Sequence, residues 1–217
     1  MFFPYRDDNP RVLIPYVTYA LIGINAAVFL LQMAGPREFT LVFAIIPKMA
    51  TLDFGHYMLS LGTSMFLHGS IAHLAGNMLY LWIFADNVEG ILGHGKFIIF
   101  YLAAGLAAGI VQTLLDPSST VPIVGASGAI AGVLAAYMVL FPHARVHTVI
   151  FFFFYFTTIR ISAFYILGFW FVMQLTNGLS VLGVDTTGGV AWFAHIGGFV
   201  AGLLLIHYLK KLTIEKY

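Results

Sequence analysis

The 217-residue chain is 60% hydrophobic and 9% charged, with a formal net charge of +1 and a mean hydropathy of +0.93, against roughly 25% charged residues in an ordinary soluble domain. This balance excludes a soluble globular fold, and ten scattered Lys and Arg residues offer no basic patch for nucleic acid. The absence of cysteine excludes disulfides, thiolate nucleophiles and zinc–thiolate sites. At about 20 residues per membrane crossing, the chain reads as one integral membrane domain over residues 1–217.

The N-terminal stretch "MFFPYRDDNPR" lacks the basic region, short apolar core and cleavage site of a removable signal, so the first span is expected to remain in the mature protein. Apolar runs of crossing length fall at about residues 13–34, 70–92, 97–115, 123–141, 162–182 and 191–209, each bounded by Gly, Pro or charge. They predict an all-α polytopic bundle of six helices. Residues 35–69, "GPREFTLVFAIIPKMATLDFGHYMLSLGTSMFLHG", far exceed the usual connection of about four to six residues. Their amphipathic, aromatic pattern, broken by Pro47, Gly55 and Gly62, predicts a structured first outer loop resting in the membrane interface. The run "TVIFFFFYFTTI" at 148–159, flanked by Arg145 and Arg160, is too short to cross and predicts an interfacial hairpin or helix.

Six spans place both termini on one side. Arg6, Arg11, Lys96, Arg145, Arg160, Lys210, Lys211 and Lys216 fall there, against Arg37 and Lys48 on the other side. The positive-inside rule then puts both termini in the cytoplasm, with the cell (inner) membrane as the expected location.

A polar side chain inside a span costs on the order of a few kcal/mol unless it is partnered. His73 and Asn77 lie four apart on one face of the second span, Ser127 opens the fourth in "GASGAIAG", and His195 opens the sixth in "AHIGGFVAG". With the predicted topology, all four fall within about two turns of the same non-cytoplasmic boundary. Gly128 and Gly132, beside Ala131 and Ala135, and Gly198 and Gly202 on the His195 face, make small-residue stripes that permit close helix approach. A serine hydroxyl within about 3 Å of an imidazole is a nucleophile beside its general base. His73 and Asn77 are donors suited to an oxyanion. Singly, each residue has a bland reading: a serine bonding to its own helix, glycines that only pack, an asparagine joining helices, or a histidine relaying protons. A transporter or proton channel is a rival reading, but it requires polar groups down to the cytoplasmic end. The fourth span has none after Ser127 except Tyr137.

Other polar residues read as structural. His143 and His147 have helical metal-ligand spacing, yet "FPHARVH" lies at the cytoplasmic boundary and predicts a solvated pair. His68 is expected to bond the loop or to join the oxyanion donors. Asp86, Asn87 and Glu89 are expected to partner backbone or basic groups. Asp116 and Asp185 fall in outer loops, so no carboxylate lies at the depth of Ser127, which favours a dyad over a triad.

"HGSIAHLAGNMLYLWIFADNVEGILG" with its HxxxN pattern, "GASGAIAG" with GxSG, and "AHIGGFVAG" with AHxxGxxxG together resemble the rhomboid family of intramembrane serine proteases. The resemblance covers nearly the whole chain. It implies a six-helix core in which a short fourth helix starts at the floor of a water-filled cavity. It implies Ser127 as nucleophile, His195 as general base, and His73, Asn77 and the Ser127 N–H as oxyanion donors, with Gly125 holding the turn. It further implies membrane lipid and single-span transmembrane proteins as partners, cleavage near the non-cytoplasmic face, and no cofactor or metal. A catalytically inactive relative that binds transmembrane helices is the alternative. Two positions depart from the pattern. "FAIIPKMA" replaces a Trp-Arg pair of the first outer loop, and Ala131 replaces a Tyr that packs on the catalytic His. His195 must then be positioned by something else.

Overall fold

A computed structural model describes residues 2–36, 38–152, 155–182 and 189–214. Arg37, Asp185 and Lys216, used in the charge and loop arguments, lie outside the described residues. Helices occupy each of the six apolar runs. The first is α1 (Tyr16–Ala34), followed by three short helices, α2 (Glu38–Phe43), α3 (Met49–Leu52) and α4 (Phe54–Thr63), and a 3-10 turn. The second run is a stack of α5 (Ile71–Tyr80), a π-helical turn (Leu81–Ala85) and α6 (Asp86–Leu92). Next come α7 (His94–Leu115), α8 (Ser127–Leu140), α9 (Ala163–Val181) and α10 (Trp192–Ile214). Four of these, α1, α7, α9 and α10, are long and apolar enough to cross a bilayer, and α8 is a shorter apolar helix. The result is a polytopic membrane bundle.

The 148–159 run forms an antiparallel hairpin of β2 (Arg145–Phe152) and β3 (Tyr155–Ser162), where β-branched and aromatic residues favour the extended chain. The N-terminal residues add β1 (Phe2–Asp7) against β2, so a three-stranded sheet joins the otherwise helical bundle. The register shifts between Pro4 and Arg6, as expected beside a residue that cannot donate to the ladder.

This sheet corrects the reading of His147. The residue is 5% exposed, and its Nε2 lies 2.6 Å from Asp8 Oδ1. The pairing of β1 with β2 brings the exposed Asp8, just past the end of β1, to the buried His147. The same bond holds the Asp8 carboxyl below its usual range.

At the sheet-bearing end the polar residues satisfy one another. Glu89 is fully buried and accepts from the Val17 N–H at 3.0 Å, the Thr18 N–H at 2.8 Å and the Thr18 hydroxyl at 2.6 Å. A carboxylate thus meets the orphan donors at the start of α1, where the helix dipole favours negative charge. Arg11 Nε donates to Asp86 Oδ2 at 2.6 Å while its guanidinium lies over the Trp82 ring. Tyr137, near the end of α8, donates to Asp7 and accepts from Asn9.

The centre of the bundle is α8, buried continuously from Gly128 to Tyr137, as suits a helix apolar on every side. Its 14 residues give a length of about 21 Å, short of the ~30 Å hydrocarbon core. The predicted start at 123 moves to 127 because the preceding chain is held extended. Ile123 pairs with Ile45, and the Gly125 N–H donates to the Ser64 carbonyl at 2.9 Å. Gly125 has φ +129°, a conformation that a side chain would strain.

Candidate active site

Ser127 is the first residue of α8, so the amides of the first turn have no acceptor within the helix. The hydroxyl therefore sits beside unpaired N–H groups at the positive end of the helix dipole.

α10 reaches Ser127 because two glycines let it approach. A Cβ built on Gly198 would overlap the Gly128 carbonyl, and one on Gly202 would overlap the Gly132 backbone. Backbone cannot yield as a side chain can. Gly128 and Gly132 direct their own missing side chains largely toward α7, where a Cβ would stand 2.5 Å and 2.6 Å from the Cβ atoms of Ala108 and Ala104. The small residues of "GASGAIAG" thus wedge α8 between two helices, with the Gly128 and Gly132 backbone against α10 and the missing side chains of these glycines toward α7.

This packing brings His195, in the first turn of α10, to Ser127, with Nε2 2.8 Å from Oγ. The other ring nitrogen, Nδ1, lies 2.8 Å from Gln174 Oε1 on α9. The Trp170 ring, one turn earlier, is tilted over the imidazole with centroids 5.7 Å apart. With Ala131 in place of a stacking Tyr, α9 supplies the contacts that position His195. Gln112 on α7 accepts from the Ala194 N–H at 3.0 Å, fixing the start of α10. Gln112, Trp170 and Gln174 were not singled out from the sequence. Both glutamines stand in predicted spans, so the cost of burying an amide was a signal that pointed to them.

On α5, Ser70 caps the helix by accepting from the His73 N–H at 3.1 Å. The Gly69 N–H points to His73 Nδ1 at 3.4 Å, which leaves the proton on Nε2. That nitrogen would lie 2.9 Å from a Cβ on Gly125, with Asn77 Nδ2 at 3.6 Å. The left-handed glycine therefore clears the space between the α5 donors and the start of α8. Asn77 Nδ2 is buried without a protein hydrogen-bond partner among the described residues. His68 packs its ring edge against His73 at 5.1 Å, and its ring nitrogens have no such partner either. The expected bond of its ring to the loop is not among those of the described residues; its backbone N–H and C=O instead bond the Gln32 side chain on α1 at 2.9 Å and 3.2 Å.

Ser127, His195, His73, Asn77 and Gly125 line one cavity of about 610 Å³, with Asp116 among the other lining residues. The rhomboid domain model matches residues 55–212. The chain belongs to the rhomboid family. It is 30% identical to Rhomboid protein 1, mitochondrial, of Saccharomyces cerevisiae, over 99% of this chain and 58% of that protein. It is 33% identical to Rhomboid protease GluP of Bacillus subtilis, over 87% of this chain and 34% of the relative. It is 29% identical to human Presenilin-associated rhomboid-like protein, mitochondrial, over 88% of this chain and 48% of the relative. The chain thus spans between 34% and 58% of the length of these relatives.

Proposed function

We propose that this rhomboid is an active intramembrane serine endopeptidase that cleaves transmembrane-anchored proteins with a Ser127–His195 dyad. The observation that carries the reading is the 2.8 Å contact of His195 Nε2 with Ser127 Oγ at the amino end of a buried helix. A serine hydroxyl is a weak nucleophile until a base takes its proton. In this reading Ser127 Oγ attacks the scissile carbonyl carbon as its proton passes to His195 Nε2. On the same reading the oxyanion collects the Ser127 N–H, Asn77 Nδ2 and His73 Nε2, and donors held ready in this way stabilise it without reorganising. Collapse breaks the C–N bond, His195 returns the proton to the leaving amine, and water entering by the cavity hydrolyses the acyl-enzyme. Gly125, Gly128, Gly198 and Gly202 support the dyad by setting the backbone distances.

The position of Ser127 at one end of α8 supports a cut near one membrane face. The positive residues at the sheet-bearing end support placing that end, and both termini, in the cytoplasm. The cut then falls near the opposite face.

The test is labelling of the lipid-reconstituted protein with a fluorophosphonate probe, followed by mapping of the adduct. An adduct on Ser127 that disappears in His195→Ala is expected. A folded protein that takes up no probe while retaining a transmembrane helix ligand would leave the binding-only alternative in its place.

A further inference from the structure

We propose that Gln174 is a positioning residue for His195: its side-chain amide selects the imidazole tautomer and fixes the ring plane, in the place where a triad would have a carboxylate. The inference rests on the protease reading and concerns how this chain, with Ala131 where a stacking ring would be, keeps its base in register.

The argument is one of donors and acceptors. Gln174 is 5% exposed, so both ends of its amide need partners. The Trp170 carbonyl lies 3.2 Å from Nε2, and a carbonyl can only accept. The NH₂ is therefore committed to Trp170, and the oxygen to His195. An amide oxygen carries no proton, so the 2.8 Å contact with Nδ1 exists only if Nδ1 donates. A neutral imidazole has one N–H, and placing it on Nδ1 leaves the Nε2 lone pair facing the Ser127 hydroxyl. The assignment of each ring nitrogen thus follows from the bond made by the other. Trp170 serves twice, as acceptor for the amide and as a ring against the imidazole.

An amide differs from a carboxylate in one respect that can be measured. As His195 takes the serine proton, Gln174 offers the imidazolium a dipole rather than a full negative charge. The polar groups bonded to this ring are Ser127 from α8 and Gln174 from α9, while His73 from α5, Gln112 from α7 and Asp116 just after α7 line the same cavity. Neither group bonded to the ring is an acid. Gln174→Glu therefore puts a carboxylate on the imidazole itself, which favours the charged ring and moves the acid limb of the kcat profile to higher pH by about one unit or more. Gln174→Leu keeps the volume but removes the acceptor, so kcat should fall about a hundredfold as the base samples the wrong tautomer and plane, with KM within about twofold.

The experiment combines these two variants with ¹⁵N-histidine NMR of the parent, the His195 signal being assigned by its loss in His195→Ala. The expected result is a neutral His195 protonated on Nδ1, a kcat loss confined to Gln174→Leu, and the displaced acid limb in Gln174→Glu. A neutral His195 protonated on Nε2 in the parent overturns the proposal without any variant having to fold. So does parent-like kcat in Gln174→Leu, or a Gln174→Glu profile that superimposes on the parent's. If the parent shows the Nδ1–H tautomer but neither labels nor cleaves, the protease reading falls and the assignment of the ring nitrogens stands.

Discussion

Two polar clusters sit at opposite ends of α8, and they are built by different rules. At the sheet-bearing end Glu89, Asp86, Arg11, Asp7, Asn9 and Tyr137 hydrogen-bond to one another or to helix amides. At the Ser127 end the contacts are sparse, and Asn77 Nδ2 and both ring nitrogens of His68 have no protein partner among the described residues. A satisfied buried network rigidifies a fold, whereas an unsatisfied donor costs free energy and calls for another explanation. The difference teaches that burial of polar residues alone does not separate structure from chemistry in this bundle. What marks the Ser127 end is an unpartnered donor, Asn77 Nδ2, on a residue that lines the cavity; Asn25 Oδ1 and Tyr101 Oη are also unpartnered among the described residues, but neither residue lines it.

The largest effect that would break this contrast is at the dyad. Ser127→Ala and His195→Ala should each lower turnover of a transmembrane substrate by about four orders of magnitude or more, with the bundle still folded by circular dichroism. Measurable turnover in folded Ser127→Ala would remove the chemical meaning of the sparse cluster. Asn77→Ala comes next. If its orphan donor is reserved for the oxyanion, kcat should fall by about two to three orders of magnitude. Stability should change little, since no protein bond to Nδ2 is lost. A folded Asn77→Ala with parent kcat would class Asn77 with the packing residues.

Gly202→Leu should act through distance. The side chain has to be fitted where the α10 backbone meets Gly132, and a displacement of about 1 Å at the reacting atoms costs around a hundredfold in rate. Helix propensity alone favours Leu over Gly by up to about 1 kcal/mol, so a stable helix with a slow enzyme is the expected signature. Parent-like probe labelling of Gly202→Leu would show that the glycines do not set the Ser127 to His195 distance.

The spans, the outer loop and the meeting of "GASGAIAG" with "AHIGGFVAG" were legible because hydropathy, charge and small-residue spacing are local signals. The start of α8 was not, since Val124 and Gly125 are apolar and small like the helix that follows. What stops the helix is the pairing of Ile123 with Ile45, which lies 78 residues away in the chain. The third strand escaped for the same reason: "FFPYRD" becomes a strand through its partner, β2. His147 looked solvated because nothing near it in sequence is acidic, while Asp8 arrives from the N-terminus. Gln174 was visible as a polar residue in a span, but its partner on α10 required the three-dimensional arrangement.

The smallest effect probes the satisfied cluster on the very helix that carries Ser127. Tyr137 is ten residues further along α8, about 15 Å away, and its hydroxyl bonds Asp7 and Asn9. Tyr137→Phe should cost about 1 kcal/mol of stability and leave kcat within about twofold, as for separated sites that act independently. The pH dependence gives the change a direction. Burial raises the Asp7 carboxyl above its ordinary value while the Tyr137 hydrogen bond pulls it down, so removing the hydroxyl raises it further. A carboxyl raised in the folded state withdraws stability as pH climbs through its range. The deficit of Tyr137→Phe should therefore be fullest at neutral pH and shrink as the medium is acidified below the ordinary aspartate value. Denaturation midpoints of parent and variant at several pH values measure this directly. A variant that loses kcat tenfold while keeping its stability would mean that α8 transmits the sheet-bearing end to the nucleophile, and the two clusters would then have to be treated as one.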